Sequence, residues 1–108
     1  MKDDYMDNEE MDLEEVRELA QRLINALDNQ LPIYMDNTEL QDVIAYLIEN
    51  EAMEDAKKAF EYAFKTYPDD PYLHLMKAKY FAIQQNFKEA ERILDWLEKA
   101  SFHEFSPE

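Results

Sequence analysis

Glycine and cysteine are both missing from this 108-residue chain, and proline occurs only four times. Glycine is the residue that adopts left-handed backbone without a steric cost, so tight two-residue hairpins and phosphate-cradling loops lose their usual building block. The Walker and dinucleotide fingerprints are excluded with it. Without cysteine there are no disulfides, no thiolate nucleophile and no cysteine-ligated zinc or iron. Long apolar runs are absent too: none approaches the roughly 20 residues of a membrane-spanning helix. The acidic start lacks the basic opening of a secretion signal, so the expected location is cytoplasmic, with no membrane contact.

Basic residues are scarce in the first half of the chain. Residues 1–56 carry 17 acidic and 3 basic side chains, a net of −14, whereas residues 57–108 carry 9 and 8, a net of −1. No basic residue stands between Arg22 and Lys57. Such a field repels phosphate backbones and anionic lipid surfaces, which argues against nucleic acid as a ligand and favours a basic partner. A hydrophobic fraction of 46%, with 13% aromatics, argues for a folded domain with one core. Residues 1–11 read as an acidic, flexible N-terminus.

What is present is helical periodicity. Leu13, Val16, Leu19, Ala20, Leu23, Ile24 and Leu27 form one stripe, with Asp12 and Glu15 spaced as a capping box, predicting a first helix over about 12–29. Leu40, Val43, Ile44, Leu47 and Ile48 form a second stripe, where Thr38 and Gln41 are expected to be the capping box. After a break at Asn50 and Glu51, a third runs from Met53 to Tyr67. The stretch "YPDDP" interrupts it. Pro71 suits the first turn of a helix, where its missing N–H is unpaired anyway, and Asp69 or Asp70 can cap that turn. Two further stripes, Leu73 to Ile83 and Phe87 to Leu97, flank a polar pause at Gln84, Gln85 and Asn86. The reading is an all-α fold of about five helices.

Residues 37–70 and 71–104 repeat one pattern with a period of 34. Leu47 aligns with Phe81, Met53 with Phe87, Ala56 with Ala90, Phe60 with Leu94 and Ala63 with Leu97. Alanines at one register let helices approach closely, and large residues a turn later fill the space opposite. A 34-residue helical hairpin with Ala56, Phe60, Ala63 and Pro68 at these spacings resembles the tetratricopeptide repeat. "NFKEAERIL" is similar to that family's turn into its second helix. The chain departs from the pattern at Ile44 and Ala78, and at Glu51 and Gln85, where the family usually has glycine. Leu40 and His74 stand in place of tryptophan, and Phe102 in place of a closing proline. A fainter copy, Ala20, Ile24, Leu27 and Pro32, lies upstream. The resemblance implies a right-handed stack of antiparallel hairpins, with residues 12–30 as a capping helix on repeats 37–70 and 71–104.

No catalytic constellation accompanies this. His74 and His103 are the only imidazoles, neither has a nucleophile or second ligand at working distance in sequence, and His74 reads as a packing residue. The acidic N-terminal run lacks EF-hand spacing. The chain is therefore expected to have no enzymatic activity, no metal and no cofactor. What the resemblance implies instead is a concave groove lined by the first helix of each repeat. Its positions are Gln41, Asp42, Ala45, Ile48 and Glu49, then Tyr72, Leu75, Met76, Lys79 and Ile83. One half is acidic and polar and the other apolar, which suits a protein or peptide partner of basic or amphipathic character. Only one cation, Lys79, stands among the positions Gln41, Ala45, Met76 and Lys79 that some family members use to clamp a terminal carboxylate, which argues against that activity. Because such arrays need about three repeats to bury their faces, a patch of Trp96, Leu97, Phe102 and Phe105 is the expected alternative, joining two copies or docking onto further repeats.

Overall fold

The computed structural model describes residues 12–105, with side chains described through Ala100. The N-terminus read as flexible, and the side chains of Phe102, His103 and Phe105, lie outside the described residues. Within them the chain forms five α-helices and no strand: α1 (Leu13–Asp28), α2 (Asn37–Glu49), α3 (Met53–Thr66), α4 (Pro71–Ile83) and α5 (Phe87–Phe105).

Local chemistry sets the ends. At α1 the Asp12 carboxylate accepts from the Glu15 N–H at 2.9 Å, and the Glu15 carboxylate accepts from the Asp12 N–H at 3.4 Å. At α2 the same box is built by Asp36 and Glu39, at 2.8 and 3.1 Å, rather than by Thr38 and Gln41. Aspartate caps at least as well as threonine, and the Gln41 amide is engaged elsewhere, as described below. Asp70, not Asp69, caps α4: its Oδ1 accepts from the N–H groups of Tyr72 and Leu73 at 2.9 and 3.4 Å. Pro71 then fills the first helical position.

Three helices end in a common way, with a left-handed residue and two reversed hydrogen bonds. After α2, Glu51 N–H donates to Ile48 C=O and Ala52 N–H to Leu47 C=O. Gln85 and Asn86 do the same after α4, as Gln30 and Leu31 do after α1. These are Schellman turns. Their left-handed position, normally glycine, has φ of 56° at Gln30, 59° at Glu51 and 64° at Gln85.

α2 packs between α1 and α4, and α3 touches α1, α2 and α4; α5 is held by α4 alone among the described helices. The core centres on Phe60, with Leu23, Met35, Leu40, Val43, Ile44 and Leu73 also fully buried. Ala56, Ala59 and Ala63 have no exposed surface either, so α3 meets its neighbours through small residues. On α1 the buried residues are Val16, Ala20, Leu23 and Ala26, while Ile24 and Leu27 of the upstream series are half-buried.

Met35 belongs to no helix, yet is buried to 1% exposure. The segment carrying it is tied to α3 and its end by two tyrosines: the Tyr62 hydroxyl donates to Ile33 C=O at 3.0 Å and the Tyr67 hydroxyl to Met35 C=O at 3.3 Å. The Tyr34 hydroxyl beside Tyr67, then burial, push the Tyr67 phenol up to about 12, so it remains a proton donor at neutral pH.

Candidate binding groove

α4 differs from its neighbours in having apolar residues nearly all round. Leu73, Ala78 and Tyr80 are buried, while Tyr72, Leu75 and Ile83 remain 54%, 45% and 47% exposed. A helix of this kind has one face in the core and another that needs a cover.

The position of α4 against α2 is fixed at Asp70. Its Oδ2 accepts from the Asn37 side-chain amide at 2.9 Å and from the Gln41 amide at 3.3 Å, while Oδ1 caps α4. Burial pushes the Asp70 carboxyl up, but the hydrogen bonds from Asn37, Tyr72, Leu73 and Gln41 outweigh it and hold the group below the usual carboxylate value. One carboxylate thereby joins the starts of the two repeat units.

Beside this joint lies an open cavity of about 560 Å³. α2 contributes Ala45, Ile48 and Glu49, α4 contributes Tyr72, Leu75, Met76, Ala78, Lys79 and Ala82, and α5 contributes Ala90 and Leu94. Of the ten groove positions taken from the sequence, these walls bring together seven: Ala45, Ile48, Glu49, Tyr72, Leu75, Met76 and Lys79. Gln41 is turned to Asp70, Asp42 is half-buried outside the lining, and Ile83 is exposed beyond it. The alanines of the floor and Leu94 carry no chemical signal in sequence. Only the 34-residue register, which pairs Leu94 with Phe60, marks that position as important.

The comparison between the repeat units is informative. Thr38, Gln41, Asp42 and Glu49 on α2 correspond, 34 residues on, to Tyr72, Leu75, Met76 and Ile83 on α4. Four polar positions of the first unit are apolar in the second, and none of the four is buried. The groove itself is lined mainly by apolar residues, with Glu49 on the α2 side as its one acidic group and Lys79 on α4 as its one cation, and the polar positions Thr38, Gln41 and Asp42 lie outside the lining.

A second cleft, of about 470 Å³, opens on the other side of α4 between α3 and α5. The His74 ring lies between Phe64, at 4.5 Å, and Trp96, at 4.8 Å between centroids. His74 Nε2 is 2.8 Å from Pro68 C=O, an acceptor, which places the ring proton on Nε2. Lys77 Nζ lies 5.2, 5.3 and 5.4 Å from the ring centroids of Phe60, Phe64 and Phe81. Desolvation draws its ammonium down against the pull of Glu61 and Glu89. These residues fasten α4 to α3 through rings and one cation, and Trp96 packs α5 on α4 through His74. Trp96, assigned from the sequence to a self-association patch, is packed on His74 and remains 47% exposed; Leu97 is half-buried.

Among the described residues no group of three or more His, Asp or Glu side chains is arranged to hold a metal ion. No described helix is long and apolar enough to cross a membrane. No family model, curated protein or solved structure matches the chain.

Proposed function

We propose that this chain is a non-enzymatic interaction module, a stack of tetratricopeptide-like hairpins that binds a protein or peptide segment in the groove between α2, α4 and α5. The observation that carries the reading is the polar-to-apolar change at four equivalent positions. If α2 and α4 merely repeated a structural unit, their exposed positions would share a solvated character. Instead α4 keeps Tyr72, Leu75 and Ile83 apolar and uncovered, as a recognition face requires. The partner segment is amphipathic: its apolar side meets α4, and its basic side meets Glu49 and the acidic first half of the chain.

A phage-displayed library of random peptides, selected against the folded 108-residue protein, tests this directly. Selected peptides should combine apolar residues with lysine or arginine. Leu75→Glu should weaken their binding by about tenfold or more, equivalent to ~1.4 kcal/mol, while Lys65→Ala, at an exposed position of α3 outside the groove lining, should leave it unchanged. Failure to enrich any sequence, or binding indifferent to Leu75→Glu, would sink the reading.

A further inference from the structure

Among the described helices α5 packs on α4 alone, and no described residue of α5 belongs to the central buried cluster. The turn that folds it back is short and conformationally costly. Gln84, Gln85 and Asn86 join Ile83 to Phe87, and Gln85 sits at φ 64°, a left-handed position that a residue with a Cβ disfavours. Straightening the turn removes that cost and exchanges its two reversed hydrogen bonds for ordinary helical ones. Nothing in the local sequence opposes it: glutamine is a good helix former, asparagine an acceptable one, and residues 72–106 contain neither glycine nor proline. The other two left-handed turns differ. Gln30 is followed by Pro32, which breaks a helix, and Glu51 leads into α3, which α1, α2 and α4 all hold. Only the turn at Gln85 joins strain to an unbroken helical sequence and to a helix that can leave without opening the core.

We propose that two copies of this chain exchange α5. In each, α4 and α5 join as one helix from Pro71 to Phe105, about 52 Å long, and each α5 packs on the α4 of the other copy. This goes beyond the groove reading and leaves that site intact, because Ala90 and Leu94 of its wall are supplied by the second copy.

The geometry of the hairpin allows the exchange. His74, Phe81, Glu89, Ile93 and Trp96 line the cleft where α4 meets α5. On an unbroken helix, at about 100° per residue, they fall in one stripe about 120° wide, so a single antiparallel helix can cover both halves. His74 and Trp96, whose rings lie 4.8 Å apart, stand at equal distances in sequence on either side of residue 85. The same ring contact therefore forms between copies, His74 of one with Trp96 of the other, and the two Gln85 residues meet at the two-fold axis. Gln85 falls in the same stripe, and its amide both donates and accepts, so it can pair with its own copy. No charged residue lies between Lys79 and Lys88, so like charges do not meet there. A reciprocal exchange also closes at two copies.

The test refolds the 108-residue protein from urea over a wide range of protein concentration, so that α5 can find either α4, and reads the dimer by sedimentation velocity. The wild type should form a dimer whose share rises with concentration. Gln85→Gly relieves the closed turn and weakens a continuous helix, whereas Gln85→Ala keeps the strain and favours the helix. Each exchanged dimer opens two turns, so the effect counts twice, and the dissociation constants of the two variants should differ by about tenfold or more, with alanine the tighter. Spin labels on Tyr72→Cys and Glu98→Cys, exposed positions in a chain without native cysteine, then identify the kind of dimer. The two positions face each other in the hairpin, about 10 Å apart, and lie about 39 Å apart along one continuous helix. Diluting labelled chains with unlabelled ones confines the reading to a single chain, and the long distance should appear only in the dimer. A wild type that stays monomeric at every concentration overturns the proposal. So does a dimer whose labels stay close within one chain, or one equally tight with Gln85→Gly and Gln85→Ala.

Discussion

Left-handed backbone at Gln30, Glu51 and Gln85 is the clearest residue-scale cost in the chain. An L-residue with a Cβ is disfavoured there by about 1–2 kcal/mol, partly offset because glycine would lose more entropy on folding. The Schellman hydrogen bonds impose the conformation whatever the side chain, because the helix carbonyls need their donors. Glu51→Gly and Gln85→Gly should therefore each stabilise the protein, by roughly 0.5–1 kcal/mol, seen as a higher midpoint in urea. Both side chains are exposed, so little contact is lost. A lower midpoint for both would show that these side chains contribute more than their backbone strain costs.

Asp70 acts at the scale of elements, since one carboxylate caps α4 and receives two amides from α2. Its native pKa lies below the unfolded value, so the native state binds fewer protons than the unfolded state in the acid range. The contribution is fully present above the ordinary carboxylate value of about 3.9 and is lost as pH falls through the lower native value. Asp70→Ala should cost about 1–2 kcal/mol at pH 7. Urea melts of the variant and wild type should converge as the pH is lowered below about 4. A gap that stays constant down to low pH would mean that charge at this joint matters little.

The same joint explains what sequence reading could and could not see among the elements. Stripes at helical spacing located all five helices, because burial on one side leaves a mark every three to four residues. In "DNTELQ", however, Asp36 with Glu39 and Thr38 with Gln41 both fit a capping box. The choice is made by Asp70, 29 residues beyond Gln41, which captures the Gln41 amide. A local motif cannot report a distant competitor. Met35 was invisible for the same reason: it lies outside any periodic stripe, and its burial depends on Tyr62 and Tyr67 hydrogen-bonding the segment around it. The groove was legible through its large and charged residues on α2 and α4. Of its alanines only Ala45 was, and Ala78, Ala82 and Ala90 were not, because the same residue type that lines an open surface at Ala82 closes a helix contact at Ala59.

On the scale of the whole molecule, charge and cover are divided along the chain. The first half is strongly acidic, with Leu13, Leu31 and Tyr34 exposed among its charges; the second half is almost neutral and shows apolar residues on both sides of α4. On the proposed reading, recognition falls to the second half and the charge that resists association to the first. Such a molecule can meet another chain through its C-terminal half while its N-terminal half holds further copies apart.

The attachment of α5 to α4 alone has a mechanical consequence. Pulled from its two ends, a body whose first four helices share contacts and whose last touches a single neighbour should not rupture all at once. The 19 residues of α5 should peel away first. Each gains about 2 Å on passing from helix to extended chain, so an optical-tweezers trace should show an early step of roughly 40 Å before the remainder gives way. A partner held in the groove, against Leu94 of α5, would raise the force of this first step and leave the later ones unchanged. The helix with one neighbour would then become a gauge of what is bound to it.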